Sequence, residues 1–388
     1  MNFFKRKKNK IPFGRPLVDG REIKSITRVL KSGIYAHGPI ASLFEKKFCE
    51  FTNSKFSTTV SSCTAGMHLF YFSLGIGRGD EVIVPAQTHT ATAHAVELAG
   101  AKPIFVDCDP ETGNINPDKI ERKINKKTKA ICVVHFLGIP VDMKKVNKIA
   151  KKNNLFVLED CALSLGAKYE EKHTGLHGDA GVFSFYPAKH ITTGEGGILI
   201  TNNEKILKKI KLLKSLGINK SFLERKTPGI YDATNVGFNY RMSELHASIG
   251  LEQIKKIRFF LKQRKKNFEF LKKKFQDNKD IYVLDSTSKK SKNSYYCLNL
   301  VLSKNLATKR MKIIKLLNKN NIGTSIYYPQ PVPRMSFYRK KYGYNKKFFK
   351  NAAKISDNSI SLPVGPHLSK KDLIFISDNV LRLIEKFR

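Results

Sequence analysis

Much of what would classify this 388-residue chain quickly is missing from it. No apolar run reaches the length of roughly eighteen residues that a membrane span needs, so a membrane protein is not expected. No apolar segment follows the basic stretch Met1–Lys10, which predicts a solvated tail and not a secretory signal. Six cysteines stand at 49, 63, 108, 132, 161 and 297 without a C-x-x-C pair, which argues against a disulfide framework or zinc ribbon and for a reducing cytoplasm. Acidic residues are scarce, 32 against 71 Lys and Arg, giving a net charge of +39. That balance invites a nucleic-acid reading, but the lysines are spread along the whole chain and occupy polar helix positions, so no nucleic-acid partner is expected. A positive field favours phosphate-bearing ligands instead.

The catalytic signatures that are absent narrow the chemistry further. There is no G-x-G-x-x-G after the first strand, no Walker lysine motif and no G-x-S-x-G elbow. His173 and His177 lie four apart, but Gly175 between them and Gly178 after them predict a loop, and no H-E-x-x-H occurs. No metal is expected. No repeat with a period of 20–50 residues is present.

What is there is an alternation. Apolar runs at Thr58–Ser61, Val82–Val84, Ile104–Val106, Ala130–Val134, Leu155–Leu158, Val182–Phe185 and Ile198–Thr201 read as strands covered on both faces. Helical patterns such as Ala65–Leu74, Asp118–Ile124 and Met143–Asn153 lie between them, which predicts a mostly parallel α/β sheet of seven strands. From Ile254 to Phe275, apolar residues recur at three- and four-residue spacing and predict one long amphipathic helix. Strands at Ile281–Val283 and Tyr295–Val301 and a helix at Thr308–Asn318 follow. The division expected is a large α/β domain over 1–255, its first ten residues a basic tail, and a small α+β domain over 256–388.

In open α/β sheets, ligands gather at the carboxyl ends of strands. Ser62-Cys63-Thr64, His89, Asp160, Ser184 and Lys189 all follow or end strands there. Ser62-Cys63-Thr64 serves equally as a helix cap or as an anion site of free N–H groups. Asp160 read alone is a cap or ion-pair partner as readily as a catalytic group. Lys189 follows Phe183-Ser184-Phe185-Tyr186-Pro187-Ala188; in such surroundings a lysine loses solvation, its pKa falls, and its amine is freed for Schiff-base chemistry. Thr192-Thr193-Gly194-Glu195-Gly196-Gly197 is a tight turn.

Together these stretches resemble the DegT/DnrJ/EryC1/StrS family of sugar aminotransferases, enzymes of the type I pyridoxal-phosphate fold. The resemblance runs from Ile11 to the C-terminus and is carried by IPFGRP (11–16), SSCTAGMHL (61–69), GDEVIVPAQTHTATAHAV (79–96), FVDCDPETGNI (105–115), LEDCALSLGA (158–167), GDAGVFSFYPAKHITTGEGG (178–197) and VGFNYRMSELHASIGLEQI (236–254). It implies a three-layer large domain with pyridoxal 5'-phosphate as cofactor. Lys189 matches the Schiff-base and proton-shuttling lysine, and Asp160 the carboxylate facing the pyridine nitrogen. Thr64, the Cys63 backbone and Ser184 match phosphate contacts, and Asn239 matches a residue reaching the phosphate from a neighbouring subunit, hence a homodimer. His89 stands where an aromatic ring covers the cofactor, Leu163 where Gln or His is common, and Cys63 where glycine is usual. Tyr327-Tyr328-Pro329 and Pro333-Arg334 depart from a His-containing pattern. The implied reaction moves an amino group, from L-glutamate, to a nucleotide-linked keto-sugar; Arg241 is a further candidate, for the diphosphate. A keto-sugar dehydratase or a non-catalytic sensor of the same fold are the alternatives.

Overall fold

In a computed structural model, residues 10–388 are described except 220–226, 228, 287, 346 and 347. The basic tail therefore lies, apart from Lys10, outside the described residues.

Seven strands form the central sheet: β1 (Phe56–Val60), β2 (Glu81–Pro85), β3 (Lys102–Val106), β4 (Thr128–Val134), β5 (Phe156–Asp160), β8 (Ala180–Ser184) and β9 (Gly197–Thr201). The short strands β6 (Lys168–Tyr169) and β7 (Lys172–His173) intervene. The order is β1-β9-β8-β5-β4-β2-β3, parallel from β3 through β8, with β9 antiparallel to both of its neighbours. All seven expected strands are present and share one sheet.

Both faces of this sheet are covered, which is why its strands read as unbroken apolar runs. Alternation still operates within them. Val82, Val84, Cys132, Val182 and Leu199 join one core with the helix α3 (Cys63–Ser73) and with Ala93, Ala95 and Val96 of α4 (Thr90–Leu98). Ile83, Ile131 and Val133 turn the other way, toward α5 (Met143–Lys152). On that same side Phe183, Ile198 and Ile200 meet Phe44 and Phe48 of α2 (Pro39–Thr52), which follows α1 (Gly20–Ser32). The helix α6 (Glu204–Leu213) packs with α3, completing three layers.

The long helix α7 runs unbroken from Glu244 to Phe275, its N-terminus capped by Ser243. Its last turns seed a second core, where Phe268, Leu271 and Phe275 pack on β10 (Ile281–Val283), β12 (Leu298–Leu302) and β13 (Ser359–Leu362). These three strands are antiparallel, in the order β10-β12-β13. Between them come β11 (Ser291–Lys292), which pairs with β6, and the helices α8 (Lys304–Ala307), α9 (Arg310–Lys319), α10 (Ser336–Tyr342) and α11 (Lys350–Asn358). Helix α12 (Lys370–Phe387) closes the chain.

Three local expectations are corrected. Asp118–Ile124 forms two 3-10 turns, Pro117–Lys119 and Glu121–Lys123, with Asn116 capping the first, and not an α-helix. The strand expected at Tyr295–Val301 begins at Leu298, because Tyr295 adopts φ 54° and the N–H groups of Ser294 and Tyr296 bond to the carbonyls of Gly138 and Leu137. The helix expected at Thr308–Asn318 starts two residues later, as α9 over Arg310–Lys319 with Lys309 at its N-cap.

Candidate active site

The carboxyl ends of β1, β2, β5 and β8 deliver the candidate residues to one edge. Asp160 is the last residue of β5 and is buried. Its Oδ1 accepts the N–H of Ala162 (3.0 Å) and faces the Cys63 thiol (3.9 Å), while its Oδ2 accepts the hydroxyl of Thr92 (2.8 Å).

Lys189 lies on the loop after β8, where its N–H donates to the Tyr186 carbonyl (2.9 Å). Its amine sits 5.4 Å from the centre of the Tyr296 ring. Burial lowers the Lys189 pKa below that of an ordinary lysine, and only partial compensation comes from Cys63 and Asp160 nearby. A basic amine is thereby held with less claim on its proton.

Helix α3 begins at Cys63, two residues earlier than the apolar pattern suggests, with Ser62 as its cap accepting the N–H of Ala65 (3.0 Å). The N–H groups of Cys63 and Thr64 open the helix and have no intrahelical acceptor. Such a terminus favours an anion. Ser184 is brought beside it by the strand register: Ser184 pairs with Gly197, and a Cβ at Gly197 would stand 2.7 Å from the Cys63 nitrogen. Glycine at 197 is what lets β9 pass so close under α3. The expected turn is found, with Gly194 at φ 85° and Gly196 at φ 151°.

His89 caps α4: its Nδ1 accepts the N–H of Ala91 (3.1 Å) and its ring packs edge-on to Tyr328, centres 5.5 Å apart. As an acceptor at Nδ1 the ring is neutral. Desolvation, then the repulsion of Lys189, lower its pKa below the usual histidine value. His89, Lys189 and Asp160 thus share one electrostatic environment.

Asn239 is not brought to these groups within the chain. It is exposed, bridged to the backbone of Ser215, while the next residue's carbonyl accepts the Ser61 N–H (2.8 Å). Leu163 is buried and offers its carbonyl to the Ser294 hydroxyl (3.1 Å). His190, next to the lysine, is buried and bonds the Ser294 carbonyl through Nε2 (2.9 Å).

Sequence reasoning missed several neighbours, Tyr296, Arg264, Thr92 and Thr88 among them. Tyr296 joins its hydroxyl at 2.6 Å to that of Tyr327, from the Tyr327-Tyr328-Pro329 stretch singled out above, and buried Arg264 donates to the Tyr296 carbonyl (2.8 Å). Thr92 and Thr88 stand behind Asp160, their oxygens 2.7 Å apart. Only their four-residue spacing at the start of a helix could have suggested that the two threonines meet.

Among the described residues, His135, Glu159 and Cys161 form a cluster with metal-ligand atoms. The Glu159 carboxylate already accepts the N–H groups of Gly175, His177 and Gly178 and faces His135 Nε2 at 2.8 Å, so its oxygens are committed to the fold. His173 and His177 do not join in a site: His173 is buried and binds the Gly166 N–H and the Thr174 carbonyl.

Comparison with known proteins agrees with this geometry. The chain is 36% identical to the GDP-perosamine synthase of Escherichia coli O157:H7 over 95% of its own length and 97% of that protein. The structure superposes on Helicobacter pylori PseC, an aminotransferase involved in the biosynthesis of pseudaminic acid, with a TM-score of 0.92 at 29% identity, covering 98% of this chain and 100% of the other. It superposes likewise on Spr1654 of Streptococcus pneumoniae, named as a sugar aminotransferase and solved in its PLP form (TM-score 0.91, 26% identity, 98% and 100% covered). The family model for DegT/DnrJ/EryC1/StrS aminotransferases matches residues 16–381, and the chain belongs to that family.

Proposed function

We propose that this chain is a pyridoxal-phosphate-dependent aminotransferase that moves an amino group from an amino acid, L-glutamate, to the carbonyl of a nucleotide-linked keto-sugar in amino-sugar or polysaccharide biosynthesis. The single observation carrying this is the convergence at one sheet edge of a desolvated amine, Lys189, a buried carboxylate, Asp160, and an open helix N-terminus. The family match and the aminotransferase relatives support it.

The residues fit the cofactor's three chemical features. The aldehyde is matched by the Lys189 amine, the ring nitrogen by Asp160, and the phosphate by the N–H groups of Cys63 and Thr64 with the Ser184 hydroxyl. His89, whose ring packs on Tyr328 beside the site, would cover the cofactor ring. When bound, pyridoxal phosphate supplies a carbonyl that accepts amino groups and a ring that draws electrons from the carbon losing its proton. The chain does the rest. Asp160 holds a negative charge against the ring nitrogen, Lys189 takes the proton from one carbon and returns it to the next, and the Tyr296 ring keeps that amine in place. Its lowered pKa suits a group that must both accept and release a proton near neutrality.

Transamination is preferred over keto-sugar dehydration because Lys189 keeps its place. His190 is turned to the Ser294 carbonyl, which supports a structural part for it.

Asn239 belongs, on this reading, to the site of a second copy in a homodimer. Exposed apolar residues support such a contact, among them Ile23 and Leu30 on α1 and Ile230 and Val236 near Asn239. A reducing, cytoplasmic location is supported by six free cysteines. No helix among the described residues is long and apolar enough to cross a membrane.

The test is a panel of UDP-, GDP- and dTDP-linked 3-keto and 4-keto sugars given to the cofactor-loaded protein with L-glutamate. One sugar is expected to yield its amino derivative with an equal amount of 2-oxoglutarate. Release of neither product across the panel, with a visible absorbance indifferent to glutamate, would contradict the reading.

A further inference from the structure

Asp160 is not held by the backbone alone. Its Oδ1 takes the Ala162 N–H, while its Oδ2 takes a side-chain hydroxyl from Thr92, 68 residues away in sequence, at 2.8 Å. An ionised carboxylate can only accept hydrogen bonds, so the Thr92 proton is committed to Asp160. The 2.7 Å contact between Thr92 and Thr88 therefore has one direction: Thr88 donates to the Thr92 oxygen. Both threonines are buried, with relative exposures of 0% and 1%. In place of the back-bond to the carbonyl four residues earlier that helical threonines often make, Thr92 reaches out of α4 across to β5.

We propose that Thr92, backed by Thr88, is a positioning residue that fixes the Asp160 carboxylate for the ring nitrogen of the cofactor. The inference rests on the reading that Asp160 faces that nitrogen. A carboxylate at a strand end can rotate about its last bond; here one oxygen is pinned by a backbone N–H and the other by a hydroxyl, so its plane is set before any ligand arrives. A chain of two hydroxyls polarises in one sense, Thr88 to Thr92 to Asp160, which strengthens the last bond. The Thr92 methyl packs as a valine methyl would, so Thr92→Val removes the hydroxyl while keeping the shape.

The test uses the full chain and two ligands: pyridoxal phosphate and its deaza analogue, whose ring carries carbon in place of nitrogen. Dissociation constants are measured by equilibrium dialysis for the parent, Thr92→Val, Thr92→Ser and Thr88→Val. Thr92→Val is expected to weaken pyridoxal phosphate about tenfold, the scale of a hydrogen bond to a charged group, while the deaza analogue binds as before. Thr92→Ser is expected to restore the parent preference, and Thr88→Val to cost about threefold. These readouts need no turnover, so they stand apart from the transamination test. Far-UV circular dichroism matching the parent's is required of each variant before its binding is read. Equal losses for the two ligands, an unchanged preference in Thr92→Val, or a serine variant that behaves like the valine would each overturn the inference.

Discussion

Lys189 and His173 are both basic side chains deprived of water, and what surrounds them sends them to different ends. Lys189 faces Cys63 and Asp160 across a site edge, where the proposed function uses its lowered pKa for Schiff-base chemistry. His173 is enclosed by Phe51 and Phe183, and burial drives its pKa to about 4. It is neutral in the folded protein, donating one ring N–H to the Thr174 carbonyl and accepting from Gly166. The unfolded chain takes this proton first on acidification, near pH 6.5. The contribution of His173 to stability is therefore complete above pH 6.5 and is lost as the pH falls toward 4. A shift of this size corresponds to about 3 kcal/mol. Urea unfolding from pH 7 to 4 is expected to show that fall in the parent and a correspondingly flatter profile in His173→Gln. Identical pH profiles would contradict the assignment.

At the scale of elements, the site depends on how closely α3 lies on the sheet. Gly66, one turn into α3, has no room for a side chain: a Cβ there would stand 2.6 Å from Cγ1 of Val182 on β8. Gly66→Ala is expected to lower unfolding free energy by about 1–3 kcal/mol, the usual cost of overpacking, and to weaken phosphate binding at the helix start. Denaturant titration with an unchanged slope would measure the first effect; a variant as stable as the parent would show that α3 is not seated as described. The same closeness explains what could be read in advance. The seven sheet strands were legible because strands buried on both faces are apolar throughout. The stretch at Tyr295 looked like strand, but its neighbours Ser294 and Tyr296 give their N–H groups to the carbonyls of Gly138 and Leu137, a long-range contact invisible to local pattern. Asp118–Ile124 had helical spacing but broke into two tight turns. The proposed division at 255/256 falls inside α7, which is continuous there and carries its own side chains into both cores, so the joint is a helix and not a linker. Lys189 and Asp160 were legible by resemblance, whereas Thr92 needed the fold: nothing in the THTAT stretch says that β5 ends beside it.

For the whole molecule, the +39 charge and the open helix start both favour a ligand bearing phosphate. The three-layer sheet and the second core enclose one edge, where groups from β2, β5, β8 and the 294–328 region meet. Everything proposed for that edge depends on a covalent link at one amine. Borohydride reduction of the cofactor-loaded protein, followed by proteolysis and peptide mass mapping, tests it most directly. The expected result is a single pyridoxyl-phosphate adduct on the peptide carrying Lys189, absent in Lys189→Ala. A colourless protein that takes up no cofactor, or an adduct scattered over surface lysines with none at 189, would contradict the account.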